Sequence, residues 1–306
     1  MVLNWKAFTL PRVALWFIAS LAISLICFQE FWASLGAMLS PDWIFGQYHA
    51  SPWGVLALCL IWLCLKRKEV WREMKVRPSL VCFVPLGLAL VAGAVLMPSS
   101  RDFLVFQVLL ASLGFFVIAF GRAAKIPSAL LAIYGFAISF PLIIERFARL
   151  PYSMSEIKPL MWMLTSLGYS LESQGQWIHF TSSGGEPISA AITAACAGPA
   201  TMGVFLAIFA LMMLDIPLPP GKATWLFLFG VAGTWFQSFM RLTILMLVGY
   251  YLGEDAMWTA HFWTIYILFP LWYLLFVYIY FRQAGSLPRM SGRGKAGVPM
   301  GQTINA

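Results

Sequence analysis

Eight apolar runs, at about 13–39, 53–65, 79–97, 103–120, 128–144, 191–214, 223–249 and 259–281, dominate the sequence. Most are close to the ~20 residues that carry an α-helix across a bilayer. Lipid offers no hydrogen-bond partner to the backbone, so a run of this kind satisfies its own amides by becoming helical. Charged residues are 10% of the 306 and mean hydropathy is +0.81. Soluble domains carry about 25% charged residues, so that class is excluded. Aromatic content of 16%, with 18 Pro and 24 Gly, also excludes a coiled coil or a disordered chain. The expectation is an all-α fold: a polytopic membrane helix bundle of about eight transmembrane helices. The first run is long and lacks an Ala-x-Ala cleavage site behind it, so it reads as a retained helix, not a cleaved signal peptide; Glu30 lies toward its outer boundary. The second is short and is expected to reach back before Pro52. No internal repeat is visible.

The net charge of +8 is not a nucleic-acid signal, because the basic residues sit in short clusters between apolar runs. With the N-terminus cytoplasmic, fifteen of the 20 Lys and Arg fall on the inner side and four on the outer, with Arg241 inside a run. That asymmetry orients the bundle with both termini in the cytoplasm of a multi-pass cell-membrane protein. Residues 145–190 then form one long extracytoplasmic loop. Its stretch 159–171 is apolar but too short to span, and suits an interfacial or re-entrant helix. Residues 175–187 read as strand or loop. The expected organisation is a membrane unit over 1–281 and a disordered cytoplasmic tail over 282–306.

Reactive groups inside a bilayer are costly and therefore informative. Arg241 lies eight residues before the outer end of the seventh run, about 12 Å deep at 1.5 Å per residue, with no acid nearby in sequence. Its plainer reading is a snorkelling or ion-paired arginine. Cys196 lies about 7 Å below the outer surface of the sixth run, among Ala194, Ala195, Ala197, Gly198, Pro199 and Ala200. Small residues permit close approach of another backbone, and Pro199 bends or frees a helix start. His261 opens the eighth run between Trp258 and Trp263. Taken singly, Cys196 reads as a small buried hydrophobe and His261 as an interfacial residue. Taken together, a thiol, a base and a fixed cation at one depth suit acyl transfer: a cation or histidine favours the thiolate nucleophile, and a guanidinium stabilises an oxyanion where the dielectric is low. Cys27, Cys59, Cys64 and Cys82 read as packing residues, His179 as a solvated loop residue, and His49 as preceding the second run. There is no HExxH, no intramembrane aspartate pair, no GxSxG and no Cys/His cluster, so no metal and no cofactor are expected.

Ala195-Cys196-Ala197-Gly198, then Ser238-Phe239-Met240-Arg241, then His261, resemble the exosortase/archaeosortase transmembrane cysteine transpeptidases. That family has an Ala-Cys-Ser-Gly-like motif at a helix start, then Asn-x-x-Arg, then a histidine in the next helix. Other similarities are Tyr48-His49 before a helix ending in a basic cluster, Pro141 ending a helix before the long loop, and Gly168 and Gly175 ahead of the cysteine. The resemblance covers about 15–281. Ala197 replaces the usual serine, and Ser238 or its neighbour Gln237 stands where asparagine is usual. It implies Cys196, Arg241 and His261 as catalytic residues, with Ser238, Gln237 and Gly198 in support. It also implies an integral-membrane peptidase or transpeptidase whose partner is the C-terminal sorting signal of exported proteins: a short motif, a transmembrane helix lying in the lipid, and a basic tail. Two other readings stay open: a transporter or channel subunit with Arg241 binding an anion, and a non-catalytic scaffold of an export system.

Overall fold

A computed structural model describes residues 6–40, 50–75, 80–98, 103–192 and 198–285. Ten helices are found among them: α1 (Lys6–Cys27), α2 (Gln29–Met38), α3 (Ala50–Met74), α4 (Leu80–Leu96), α5 (Leu104–Phe120), α6 (Lys125–Phe147), α7 (Arg149–Ser166), α8 (Pro199–Asp215), α9 (Pro220–Leu252) and α10 (Glu254–Gly285). Three short strands, β1 (Leu171–Gln174), β2 (Trp177–Thr181) and β3 (Pro187–Ala191), separate α7 from α8. Large apolar side chains such as Leu228, Phe236 and Leu274 face outward. A soluble fold would bury them; here the outside is lipid.

The helices depart from the expected spans in several places. The first run is broken: α1 and α2 meet at 92°, with Phe28 between them at φ −123° and ψ 50°. α3 runs on past 65 to Met74, because the segment LKRKEVWREM is made largely of good helix formers. Pro141 does not end a helix; it lies inside α6, which continues to Phe147. A helix packed among others tolerates the amide that proline removes. α10 continues to Gly285, past the expected end of the membrane unit at 281; the rest of the expected tail lies outside the described residues.

Among the described residues, three helical stretches are long and apolar enough to cross a membrane: Leu104–Phe147, Pro220–Leu252 and Glu254–Gly285, or four if the bent α1–α2 pair counts as one. The count of eight is therefore not reached on length and composition. The first stretch doubles back. Gly121 adopts φ 54° at the start of a 3-10 turn over Gly121–Ala124, and Phe106 of α5 lies 6.3 Å from Tyr134 of α6, ring to ring.

The bundle is tied together by close backbone approaches and a few polar links. Cys59 of α3 donates to the Leu130 carbonyl of α6, and Trp16 of α1 to the Ser112 carbonyl of α5 at 2.9 Å. Lys66 pairs with Asp215, joining α3 to the end of α8. Phe205, Leu226, Phe276 and Tyr280 form the core between α8, α9 and α10. The all-α bundle carries one small non-helical element. The long loop carries an antiparallel sheet in the order β1-β2-β3, with Gln174 opposite Trp177 and Thr181 opposite Pro187. Gly175 at φ 62° supplies the two-residue hairpin turn. Ile178, Phe180, Ile188 and Ala190 alternate onto the inner face and pack with Ile157, Leu160 and Leu164 of α7 against Leu245 of α9 and Met257 of α10. The loop is thus a built cover over one end of the last two helices.

At the α4–α5 crossing, a Cβ on Gly114 would stand 2.6 Å from the Gly87 carbonyl oxygen and 2.6 Å from Val91 Cγ2. Gly114→Leu should cost about 1–3 kcal/mol through forced separation of the two helices. It should lower the thermal midpoint in detergent, whereas Gly93→Ala, which meets nothing within 4 Å, should not. Equal midpoints for Gly114→Leu and the parent would contradict this packing.

Candidate active site

α9 presents one buried stripe, Thr234, Ser238, Arg241, Leu242 and Leu245, spaced by three and four so that all share a face. Arg241 is only 3% exposed and His261 6%. His261 comes from the second turn of α10, one turn after the buried Met257. The two meet: Arg241 Nη2 lies 3.0 Å from His261 Nδ1 and 3.1 Å from Nε2. A guanidinium only donates, so the ring nitrogen that takes this bond offers a lone pair. Trp258 packs edge-on against the ring at 5.6 Å. Ser238 and Gln237, the two candidates for the asparagine position, part company. Ser238 faces the cluster, whereas Gln237 turns to α10 and donates to the Leu268 carbonyl at 2.7 Å.

A residue that sequence reasoning missed completes the cluster. Glu156 of α7 is fully buried, and its Oε2 accepts from Ser238 Oγ at 3.2 Å. Its Oε1 has no hydrogen-bond partner among the described residues. Burial pushes the Glu156 carboxyl up to about 8, partly offset by the Ser238 hydrogen bond and the Arg241 charge. The absence of an acid near Arg241 in sequence is therefore misleading, because the fold brings one from α7. The available signal was Ser153, Glu156, Ile157, Leu160 and Leu164, a helical stripe buried along α7 in which an acid is out of place.

Cys196 lies outside the described residues, as do Tyr48 and His49. The chain on either side of 193–197 is described. Ile192 is buried with Leu242 and Leu245. Gly198 has φ 85° at the N-cap of α8, and a Cβ there would stand 2.7 Å from Ser238 Oγ; both facts demand glycine. Thr201 closes this start by donating to the Gly198 carbonyl, and Tyr273 of α10 donates to Thr201's own carbonyl at 2.7 Å. A cavity of about 30 Å³ borders His261, Ile192, Leu242 and Trp258, enough volume for a water molecule. His179 sits apart on β2, bonded to Ser189 at 2.8 Å and stacked on Trp177. A cavity of about 450 Å³ between α1, α3, α5 and α6 is almost wholly apolar apart from Arg67; it holds none of the clustered groups. No group of residues able to hold a metal ion occurs among the described residues.

Glu156 makes stability depend on pH with a definite sign. Its folded value is raised from 4.5 to about 8, so the folded chain keeps a proton that the unfolded chain releases between those values. That stability is complete below the unfolded value and is lost as pH rises toward the folded one, by about 1.4 kcal/mol per pH unit at most. The thermal midpoint in detergent should fall from acid to mildly alkaline pH, and Glu156→Gln should remove most of that fall. A slope unchanged by Glu156→Gln would contradict the assignment.

Comparison with known families matches the transmembrane exosortase family (Exosortase_EpsH) over residues 43–279. No curated protein and no solved structure matches the chain significantly. The matched span contains every helix from α3 to α9 and most of α10, with all of the residues just described, and on this extent of match the chain belongs to the transmembrane exosortase family.

Proposed function

We propose that this membrane exosortase is a cysteine peptidase or transpeptidase that cleaves C-terminal sorting signals of exported proteins through a thioester on Cys196. The observation that carries the reading is the direct contact of buried Arg241 with buried His261. It joins two residues, twenty apart in sequence, whose chemistry complements a thiol. The flanks of the 193–197 segment, Ile192 and Gly198, both pack on α9 next to Arg241.

In the proposed mechanism, the Cys196 thiol gives its proton to His261 and the thiolate attacks the scissile carbonyl. The oxyanion forms beside the Arg241 guanidinium, whose charge is fixed in place before the reaction. Collapse expels the amine, which takes the proton back from His261 and leaves an acyl-enzyme for water or an acceptor amine to resolve. Ser238 packs beside Gly198 at the end of the segment. The site faces the extracytoplasmic side of the cell membrane, both termini are cytoplasmic, and residues 1–281 form one membrane unit with the 145–190 region as its outer cover. The partner is the substrate's transmembrane helix, lying in the lipid beside the bundle with its signal at the depth of Cys196.

The test is mass spectrometry of C-terminal peptides from surface proteins in the parent strain, a deletion strain, and deletions carrying Cys196→Ala or Arg241→Lys. Cys196→Ala should leave the C-terminal helix and tail on the same proteins as the deletion does, with normal enzyme level. Arg241→Lys should lose processing by about 100-fold or more, because lysine lacks the planar fork. Wild-type processing by Cys196→Ala would overturn the mechanism and favour a transporter or scaffold.

A further inference from the structure

Arg241 keeps its charge at any physiological pH, and a cation removed from water needs an anion close by. Glu156 is the buried acid among the described residues, and the Arg241 charge reaches it. The mechanism proposed above gives the same guanidinium a second anion: first the Cys196 thiolate, then the oxyanion. Two anions therefore compete for one cation.

We propose that Glu156 is a positioning residue that sets how much of the Arg241 charge is available to the reaction: protonated, it leaves the guanidinium to the thiolate and oxyanion, and ionised, it draws that charge to itself. The inference rests on the Cys196–Arg241–His261 reading. Three observations carry it. Glu156 is linked through Ser238 to the helical turn that presents Arg241, on the same face of α9. Ser238 is in turn the contact for Gly198, two residues after Cys196. Glu156 Oε1 is buried with no donor among the described residues, an arrangement that suits a neutral carboxyl better than a carboxylate with both oxygens to satisfy. The upward displacement of its proton equilibrium agrees with this. Ionisation releases the proton to solvent and changes no other bond.

The groups facing Glu156 are few. Arg241 approaches from α9, with His261 of α10 behind it. Tyr152 precedes it by one turn on α7 and feels its charge. Lys158 on α7, Glu145 and Arg146 at the end of α6, and Glu172 on β1 are all exposed, where solvent screens them. The pH response near neutrality thus belongs to the Glu156–Arg241 pair and the chemistry they flank.

The test is alkylation by iodoacetamide of the full-length protein in detergent, followed at the Cys196 peptide by mass spectrometry at about pH 6 and about pH 8.5, either side of neutral. Glu156→Gln is neutral at both. The ratio of its rate to the wild-type rate should rise at least about fivefold between the two pH values, because only the wild type gains the competing carboxylate. A merely structural disturbance would change the rate by the same factor at both. Ser238→Ala removes the hydrogen bond that favours the carboxylate; it should raise the same ratio in the same direction, and it decides the matter if Glu156→Gln fails to accumulate. A flat or falling ratio overturns the role of Glu156. If Cys196→Ala still processes substrate in cells, the catalytic reading falls and this inference with it. If Cys196→Ala is dead and the ratio is flat, Glu156 alone is wrongly assigned.

Discussion

A permanently charged guanidinium inside an apolar bundle organises one end of this protein. Arg241 cannot shed its proton, and at 3% exposure it is almost wholly withdrawn from bulk solvent. The fold answers with polar groups drawn from elements far apart in sequence: His261 from α10, Ser238 one turn earlier on α9, and Glu156 from α7 through that serine. Each of these is buried in turn, so each must find its own partner. The result is a small polar network enclosed by apolar packing, where displacing one member leaves another unsatisfied. Such clusters are expensive to build for stability alone, which is why their presence argues for chemistry.

The cover over that end follows from the same demand. A network of this kind needs a low dielectric, and α7 with the three strands closes over the ends of α9 and α10 to provide it. Ile178 and Ile188, each 1% exposed or less, and Leu160 and Leu164 of α7 form a dry layer against Leu245 and Met257. The layer is sealed at its edge by Ser183 donating to the Tyr250 carbonyl. The arrangement differs from a transport pathway, in which polar groups line a wet cavity near the midplane.

How much of this was legible in the sequence depended on whether the governing physics was local. The apolar runs gave the helical elements because lipid forces every amide to bond within its own segment. The Arg241–His261 pairing was legible because an intramembrane charge is a functional flag and its depth can be counted along a helix. Three features were not. The break at Phe28 has no glycine or proline to announce it, only Glu30 in the next turn. Pro141 was taken as a helix end, yet tertiary packing sustains the helix around it. Glu156 was invisible as a partner because 82 residues separate it from Ser238, and only the folding of α7 against α9 brings them together. Residues 175–187 were read no better than strand or loop, since strands of four or five residues carry little periodic signal.

The contact between Gly198 and Ser238 reaches beyond this single chain. One residue supplies a left-handed backbone with no side chain, and the other fills the space that a side chain would need. The two positions therefore form one steric unit across α8 and α9. In related sequences a bulkier group at 238 should appear only where 198 stays glycine and its loop shifts outward, and asparagine or serine at 238 should travel with an acid at 156 able to take its hydrogen bond. Positions 156 and 238 should then drift as a correlated pair while 198 stays glycine, a signature that can be read in homologous sequences without solving another structure.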